Sequence, residues 1–444
     1  MTEFYTHLTG INEALNSENG PMLAQQLSMT ELLIITLNNQ TNNPTPRKFT
    51  SKQTESNYIN KFNLLKKIDL FVKKANDLDS LIASKVKTGD RNQNQIYAEV
   101  ISNRLKSISA IFDSRYSEAF KYLSEEINSF VKIFELWSSP LLWKLCLDIR
   151  LMAELTSLSE QTNNNNNNSN NNNNGGKKTD YFEEATRILL SKCFQAANAD
   201  RTNIMSESKK NAAMGVVNQL FHIYFKINNL KLCKNLVTTI ESSGFPPLEN
   251  YPLSQLITYR FFNGRLAVFN GNYKKAQQEL LFAFNKCPSS SFKNKRLILL
   301  YLVPMQLEQC KFPKKTLLEK YKLSQFVDIV QSIKYGNIKL FNQCLTTHQN
   351  FFISKGIYLI LEKLKIIVYR NLFKRVFLIN TAPRIPIGNF VAALKWMEND
   401  SVDIDETECI LANLISNGYL KGYISHKVGL VVSPTNPFPK LPIN

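Results

Sequence analysis

Apolar residues recur at helical spacing along most of the chain. Periodic patterns over about 58–87 and 94–160 predict an N-terminal helical region at 1–160. At 179–380 the periodic patterns come in pairs, which predicts TPR-like helical hairpins stacked as a solenoid. Short breaks separate the members of the pairs: Asn228-Asn229, Gly271-Asn272, Phe312-Pro313 and Gly336-Asn337. The expected fold class is therefore mainly α.

Two polar stretches interrupt the periodic pattern. Asn38–Ser56 contains two prolines and predicts a loop. Asn163–Asn174 holds eleven asparagines around one serine, a composition that cannot bury apolar surface. It predicts an Asn-rich disordered loop at 161–178. A tolerated surface loop is the plainer interpretation of so short a tract, and a prion-like, phase-separating segment is the alternative.

One hairpin carries the small-residue spacing that is typical of a tetratricopeptide repeat. Small residues and a closing proline fall at successive offsets of 12, 7 and 5 positions: Gly264, Ala276, Ala283 and Pro288. Helices approach closely only where side chains are small, so this hairpin is expected to be tightly packed. Ala267 stands where the repeat has an aromatic residue, and neighbouring hairpins do not repeat the spacing. The array is therefore expected to be degenerate.

The pattern changes again at 381–444. Pro386–Met397 predicts a short amphipathic helix with a proline near its start. After a second helix come two runs typical of strands, Tyr419–Ser425 and Leu430–Ser433, joined by a turn at His426–Gly429. This order of helix, helix, strand, turn and strand predicts a winged helix.

The second helix of this module is expected to follow Ser401–Ile404. Asp405 is placed to cap its N-terminus, and Glu408 lies where it could complete a capping box. Asn417-Gly418 ends the helix as a left-handed C-cap would. Its buried stripe is predicted to be Ile410, Leu411, Leu414 and Ile415.

Positive charge is concentrated in one part of the chain. The sequence has 54 Lys and Arg against 36 Asp and Glu, a net charge of +18. Residues 251–380 hold 21 basic and 5 acidic side chains, whereas 1–250 hold 28 and 25, and 381–444 hold 5 and 6. A charge run is ordinarily a solvated face, but so large a local surplus repels itself and favours an anionic partner.

Two basic clusters stand out within this surplus. Lys293, Lys295 and Arg296 form the first. Lys363, Arg370 and Lys374 form the second and share one face if their helix is continuous. Such faces pair with nucleic-acid phosphates or with an acidic peptide.

Cysteine spacing and hydropathy bear on the compartment. Seven cysteines lie at least 23 residues apart with no CxxC motif, so they are interpreted as free, reduced core thiols. The longest apolar run, 356–379, contains six charged residues, and no membrane insertion is expected there. No signal segment is visible at the N-terminus. A cytosolic or nuclear location follows.

Residues that would indicate an enzyme are missing from the pattern. The four histidines are scattered, and there is no phosphate-binding loop, dinucleotide fingerprint or nucleophile elbow. No metal, cofactor or catalytic activity is therefore expected. One acidic cluster is interpreted as favourable charge at a helix N-terminus rather than as a cation site: Asp400, Asp403, Asp405, Glu406 and Glu408.

A helical array that runs into a winged helix resembles a PCI domain, the module shared by the proteasome lid, the signalosome and a translation initiation factor. Five segments resemble more closely the family of Thp-type, PCI-domain-containing protein two subunits of nuclear mRNA-export complexes. They are YPLSQLITYRFFNGR (251–265), KNKRLILLYLVP (293–304), GIYLILEKLKIIVYRNLFKRV (356–376), DIDETECILANLISNGYLKGYISH (403–426) and NPFPKL (436–441). The resemblance covers about 210–442, with a PCI module at about 210–435. The asparagine tract departs from the family pattern.

The resemblance implies a non-enzymatic subunit that pairs with a Sac/GANP-type scaffold and a small acidic Sem/Dss-type protein. It implies a location in the nucleus with association at nuclear pores and a role in coupling transcription to export, and it leaves an additional cytoplasmic location open. The related signalosome-associated subunit has the same architecture. An assembly scaffold without nucleic-acid binding therefore stays open as the alternative.

In this family nucleic acid, RNA or double-stranded DNA, is bound by winged helices that two subunits place side by side. Carried onto this chain, and joined to the basic clusters above, the resemblance indicates these candidate residues for nucleic acid or the acidic partner: Lys293, Lys295, Arg296, Lys363, Lys365, Arg370, Lys374, Arg375, Lys421, His426 and Lys427. The second helix of the winged helix begins with acidic residues, so its insertion into a groove is disfavoured. Binding is expected to be dominated by backbone phosphates, weakly sequence-selective and strongly salt-dependent.

Overall fold

The computed structural model describes residues 2–41, 52–75, 77–88, 91–167, 180–200, 206–242, 244–397, 402–425 and 427–441. The chain divides into two compact units, Met1–Tyr259 and Arg260–Asn444. Each unit has its own buried apolar core.

The described residues of the first unit form helices joined by turns and loops, without a strand. Its helices are α1 (Thr2–Asn16), α2 (Gly20–Gln26), α3 (Thr30–Gln40), α4 (Lys52–Val72), α5 (Leu78–Lys85), α6 (Arg91–Phe112), α7 (Tyr116–Phe130), α8 (Ser139–Asn167), α9 (Tyr181–Ile188), α10 (Gln195–Asn198), α11 (Ala213–Lys226), α12 (Leu230–Ile240) and the start of α13 (Leu253–Phe269). A π-helical turn, Leu189–Phe194, joins α9 to α10.

Helix α7 shows how the periodic pattern builds this unit. Its apolar residues at spacings of three and four lie on one face and are buried: Ala119, Phe120, Leu123, Ile127 and Phe130. α7 packs against α6 and α8, and α8 packs against α3. The helical region predicted at the N-terminus is therefore present.

The predicted loops are shorter than the sequence suggested. α3 continues to Gln40 and α4 begins at Lys52, so both helices enter the polar stretch 38–56. α8 continues to Asn167 and includes the first asparagines of the tract, because extending an existing helix adds one hydrogen bond per residue. The beginning of the predicted loop at 161 is therefore wrong. Residues 42–51 and 168–179 lie outside the described residues.

The second unit contains helices and one small sheet. Its elements are the rest of α13, then α14 (Tyr273–Lys286), α15 (Phe292–Glu308), α16 (Lys315–Lys320), α17 (Val327–Tyr335), α18 (Ile338–Thr347), α19 (Gln349–Ser354), α20 (Tyr358–Lys363), α21 (Lys365–Asn380), β1 (Arg384–Ile385), α22 (Ile387–Met397), α23 (Ile404–Ser416), β2 (Gly422–Ser425) and β3 (Gly429–Val432). The fold is mainly α, with helical hairpins followed by a winged helix.

The predicted breaks fall between successive helices, and Gly336 shows why at one of them. Gly336 ends α17 with a φ of 63°, and a Cβ there would lie 2.4 Å from the Leu372 backbone nitrogen, so only glycine fits against α21.

The hairpin of α13 and α14 is closely packed at its small residues. A Cβ on Gly264 of α13 would lie 2.8 Å from Leu280 Cγ of α14. Ala276 and Ala283 of α14 are also fully buried. The small-residue contact predicted within this hairpin is confirmed.

The winged helix has one more strand than predicted. The sheet order is β1-β3-β2, and Val431 of β3 lies opposite Arg384 on one side and Tyr423 on the other. β1 is only two residues long and lies between two prolines, so it shows no alternation that sequence could reveal. β2 begins at Gly422, three residues later than expected.

The cap of α23 also differs from the prediction. Asp403, not Asp405, is the N-cap, and its Oδ1 accepts a hydrogen bond of 2.7 Å from the backbone N–H of Glu406. The C-terminal signal is confirmed, since Gly418 has a φ of 72° and directly follows the C-cap residue Asn417. Of the predicted buried stripe, Leu411 and Leu414 are buried and the two isoleucines are half-buried.

The cysteines are free thiols, as expected. Five are buried, Cys310 is half-buried and Cys409 is exposed, so the prediction of a core position is wrong for Cys409. None of the helices in the described ranges combines the length and apolar character that crossing a bilayer requires.

Candidate nucleic-acid interface

The second unit carries almost all of the excess positive charge. Residues 260–444 hold 26 Lys and Arg against 11 Asp and Glu, whereas 1–259 hold 28 against 25. The predicted site residues all belong to this second unit, and those that the structure describes lie on α15, on α20 and α21, and on the wing.

The three basic residues of the α15 cluster differ in exposure. Lys293 is exposed. Lys295 is half-buried, and its Nζ donates a hydrogen bond of 3.2 Å to the Phe284 carbonyl while lying 4.6 Å from the Phe284 ring. Arg296 is also half-buried and donates to the Lys322 carbonyl at 3.4 Å. Of the three, Lys293 is therefore the exposed side chain.

Lys363, Arg370 and Lys374 do not lie on one continuous helix, as their predicted common face requires. α20 ends at Lys363 and α21 begins at Lys365, with Leu364 between them, so the condition of a continuous helix is not met. Lys363 Nζ lies 3.5 Å from the Tyr273 hydroxyl oxygen. The assumption of a single aligned face is therefore wrong.

Further cations of these two helices lie over aromatic rings. Lys365 is half-buried, with its Nζ 5.2 Å from the Tyr369 ring centre. Arg375 is exposed, with its guanidinium 5.3 Å from the Tyr335 ring centre.

Arg370 is buried, which corrects the prediction of an exposed binding residue. Its side chain is only 6% exposed. Nη1 donates to Asn371 Oδ1 at 2.8 Å, Nη2 donates to the Pro439 carbonyl at 2.7 Å, and the guanidinium lies 5.7 Å from the Phe438 ring centre. Burial lowers the pKa of Arg370. The C-terminal segment 436–441 covers this face of α21, and spacing within the helix could not show that.

A cavity of about 520 Å³ opens beside Arg370 and brings predicted and unpredicted residues together. We call it the basic pocket. It is lined by Cys310, Phe312, Lys334, Arg370, Asn371, Lys374, Asn436, Phe438, Lys440 and Leu441. Lys334 and Lys440 are exposed and Lys374 is half-buried. Four basic residues and no carboxylate line the cavity, so it suits an anionic group.

Sequence reasoning missed part of this pocket. Lys440 belongs to the segment NPFPKL, and Phe312 belongs to a predicted break, but neither feature indicated binding. Lys334 had no signal other than the general surplus of charge. These residues come from α17, from the connection after α15 and from the C-terminus, so only folding brings them to α21.

The wing presents exposed lysines. Lys421 precedes β2, Lys427 lies in the turn between β2 and β3, and both side chains are exposed. Tyr423 of β2 lies between these two lysines in the sequence and is 63% exposed. His426 lies outside the described residues.

The start of α23 presents the opposite charge. Asp403, Asp405 and Glu406 are exposed there. Phosphates at this helix end would meet carboxylates, so entry of α23 into a groove stays disfavoured. Asp400 of the predicted acidic cluster lies outside the described residues. In the ranges that the structure covers, no three His, Cys, Asp or Glu side chains are placed to hold a metal ion.

Comparison with known proteins shows what the chain is similar to. Residues 345–435 match the PCI domain, a range that begins in α18 and ends after β3. The chain is 67% identical over 444 residues to the PCI domain-containing protein 2 homolog of Dictyostelium discoideum, covering all of both sequences. It is 43% identical to PCI domain-containing protein 2 of Xenopus laevis over 78% of this chain and 85% of that protein. The Drosophila melanogaster homolog is 38% identical over 81% and 89%.

Proposed function

The chain belongs to the PCI domain-containing protein 2 family, and on that premise we propose that it is a non-enzymatic subunit of a nuclear mRNA-export complex. It pairs with a Sac/GANP-type scaffold and a small acidic Sem/Dss-type protein, and it couples transcription to export at nuclear pores. It binds RNA and DNA through exposed cations of the second unit. The family resemblance supports the assembly, and the charge distribution supports the binding.

The observation that carries nucleic-acid binding is the excess of basic over acidic side chains in the second unit. In the second unit basic side chains outnumber acidic ones by 26 to 11. Within the described residues, no carboxylate lies at ion-pair distance from Lys334, Lys374 or Lys440. Such a unit repels itself, and a polyanion that neutralises it gains affinity by releasing its own counter-ions.

The exposed cations favour contacts with phosphates rather than bases. Lys293, Arg375, Lys421 and Lys427 are exposed on separate elements, and the acidic start of α23 disfavours groove insertion by that helix. No bidentate set of base-reading side chains is assembled from them. Binding is therefore governed by salt more than by sequence.

The test uses the full chain and charge reversals on the proposed surface. One variant carries Lys421→Glu with Lys427→Glu, and a matched control carries Lys121→Glu with Lys132→Glu, two exposed lysines of the first unit. Affinity for RNA and for duplex DNA is measured against salt concentration. Each lost phosphate contact flattens the slope of log affinity against log salt by roughly 0.7 to 0.9. The control keeps the wild-type slope.

Two results contradict this proposal. If the wing variant keeps the wild-type slope while Glu406→Lys with Glu408→Lys changes binding, the acidic helix faces the nucleic acid instead. If the wild-type chain binds no nucleic acid at low salt, and pull-down from nuclear extract recovers only signalosome subunits, the chain is an assembly scaffold.

A further inference from the structure

We propose that the basic pocket holds one nucleotide of a single strand, with its phosphate among Lys334, Lys374 and Lys440 and its base on the Phe312 ring. This inference rests on the proposed nucleic-acid binding and specifies that the basic pocket binds single-stranded rather than duplex nucleic acid. It differs from the wing, whose exposed lysines suit the phosphates of either strand form.

The charge of the pocket has no counterpart inside the fold. The guanidinium of Arg370 is held by two neutral oxygens, the Asn371 side-chain oxygen and the Pro439 carbonyl. Its Nε is buried and has no hydrogen-bond partner in the described part of the chain. The positive charge of Arg370 therefore adds to that of the three lysines, and an anion entering the pocket meets four cations and no carboxylate.

The pocket also offers an aromatic surface. Phe312 lies in the connection between α15 and α16, lines the pocket and is 38% exposed. Phe438 is buried under Arg370 and beside Phe377, so its ring is already covered. Phe312 is thus the ring that a base can stack on. Aromatic rings next to cations are the usual surface for single strands, because every base has a face that stacks.

The size of the cavity fits a nucleotide better than a single phosphate or a duplex. A volume of about 520 Å³ is in the range of small-molecule sites, and one phosphate would leave most of it empty. Bases in a duplex are already paired and stacked, so none can reach Phe312 without leaving the helix. An acidic peptide would use the cations but has no need of an exposed ring.

The pocket is held by contacts between its walls. Asn371 Nδ2 donates a hydrogen bond of 2.7 Å to the Ile333 carbonyl, which joins α21 to α17 next to Lys334. Arg370 joins α21 to the C-terminal segment that carries Lys440. A pocket that is already formed loses less entropy when its ligand binds.

The experiment removes the ring without changing the charge. Phe312→Ala is compared with Phe269→Ala, which removes another phenyl ring of similar exposure, 40%, away from the pocket. Binding of the full chain to a single-stranded 12-mer RNA and to a duplex of the same length is measured by fluorescence anisotropy. Phe312→Ala should weaken single-strand binding about five-fold or more with no change in salt slope, and leave duplex binding unchanged. Phe269→Ala should change neither.

Other outcomes overturn the inference in distinguishable ways. If Phe312→Ala binds the single strand like wild type while the wing variant loses affinity, the pocket inference fails and the proposed function stands. If the wild-type chain binds neither strand form, both fail. If a polyglutamate peptide displaces the RNA from wild type and from Phe312→Ala equally well, the pocket takes an acidic peptide.

A second variant covers the case in which Phe312→Ala does not fold. Lys440→Glu changes an exposed side chain and should fold like wild type. It should weaken the single strand at least five-fold more than the duplex. Equal weakening of both strand forms would overturn the inference.

Discussion

Arg104 in the first unit and Arg370 in the second are both buried, but their partners differ in kind. Arg104 is 1% exposed and forms ion pairs with Glu126 at 2.9 Å and with Asp148 at 2.8 Å. Arg370 is 6% exposed and donates only to neutral oxygens. The first unit neutralises its buried cation internally. The second unit leaves Arg370 at the wall of an open pocket, where an anion from outside the chain can neutralise its charge.

The cluster around Arg104 is neutral when one carboxyl group is protonated. Burial raises the pKa of Glu126 to about 7, against the attraction of the Arg104 guanidinium. Burial raises the pKa of Asp148 as well, but that group accepts hydrogen bonds from both Arg104 and Thr30. Glu126 has one such bond, and its Oε2 has no partner in the described residues. When one of the two carboxyl groups is protonated, the proton is therefore expected on Glu126.

The largest effect is expected from breaking this cluster. Arg104→Ala leaves the two buried carboxyl groups of Glu126 and Asp148 without their cation and should lower the free energy of unfolding by about 3–5 kcal/mol. Arg370→Ala leaves only neutral acceptors, so the loss should be smaller, about 1–3 kcal/mol. Urea unfolding of the full chain measures both. A larger loss for Arg370→Ala would reverse the comparison.

A matched control separates buried from exposed ion pairs. Arg115 pairs with Asp113 and Glu118 but is 49% exposed. Arg115→Ala should cost less than about 1 kcal/mol, because water screens exposed pairs.

The next effect concerns pH. The folded state holds a proton on Glu126 up to about pH 7, whereas the unfolded chain releases it near 4.5. Folding therefore takes up a proton between these values, and this contribution to stability is lost as the pH rises. The difference in unfolding free energy between wild type and Glu126→Gln should fall by at least about 1.4 kcal/mol from pH 4.5 to 7.5.

Comparing wild type with this variant removes the opposing contribution of His7. Burial and the nearby Lys61 lower the pKa of His7 to about 4, so its contribution is lost as the pH falls below 6.5. A difference curve that is flat, or that rises with pH, would show that Glu126 is ionised in the folded protein.

The smallest effect on stability is expected in the basic pocket. Lys334→Gln with Lys374→Gln removes two cations that have no carboxylate partner among the described residues. The free energy of unfolding should stay within about 0.5 kcal/mol of wild type, or rise slightly as repulsion is relieved. A loss above 2 kcal/mol would mean that these lysines stabilise the fold, as Arg104 does.

Much of the fold could be predicted from local signals. The breaks at Gly271-Asn272 and Gly336-Asn337 are confirmed because left-handed glycine and asparagine caps act within a few residues. The C-cap at Gly418 is confirmed for the same reason. The capping-box spacing to Glu408 favours Asp405 as the cap, but α23 begins at Ile404, so Asp403 is the residue that precedes its first turn.

The candidate site was less predictable. Lys421 and Lys427 are exposed as expected, but Arg370 is buried by a segment some 70 residues further along the chain. The helical spacing of Lys363 and Arg370 does not place them on one face, since α20 ends at Lys363 and Arg370 lies on α21. Phe312, Lys334 and Lys440 were missed because they are separated in the sequence and meet only at α21.

The sequence by itself determined the helical hairpins, the winged helix, the family and the surplus of positive charge. These properties depend on periodicity, caps and composition, which act over short distances or require no positions at all. Only the tertiary structure decided which cations remain accessible. Burial of a side chain depends on which distant segment covers it, and the C-terminal segment covers Arg370 while leaving Lys374 and Lys440 at the edge of a pocket.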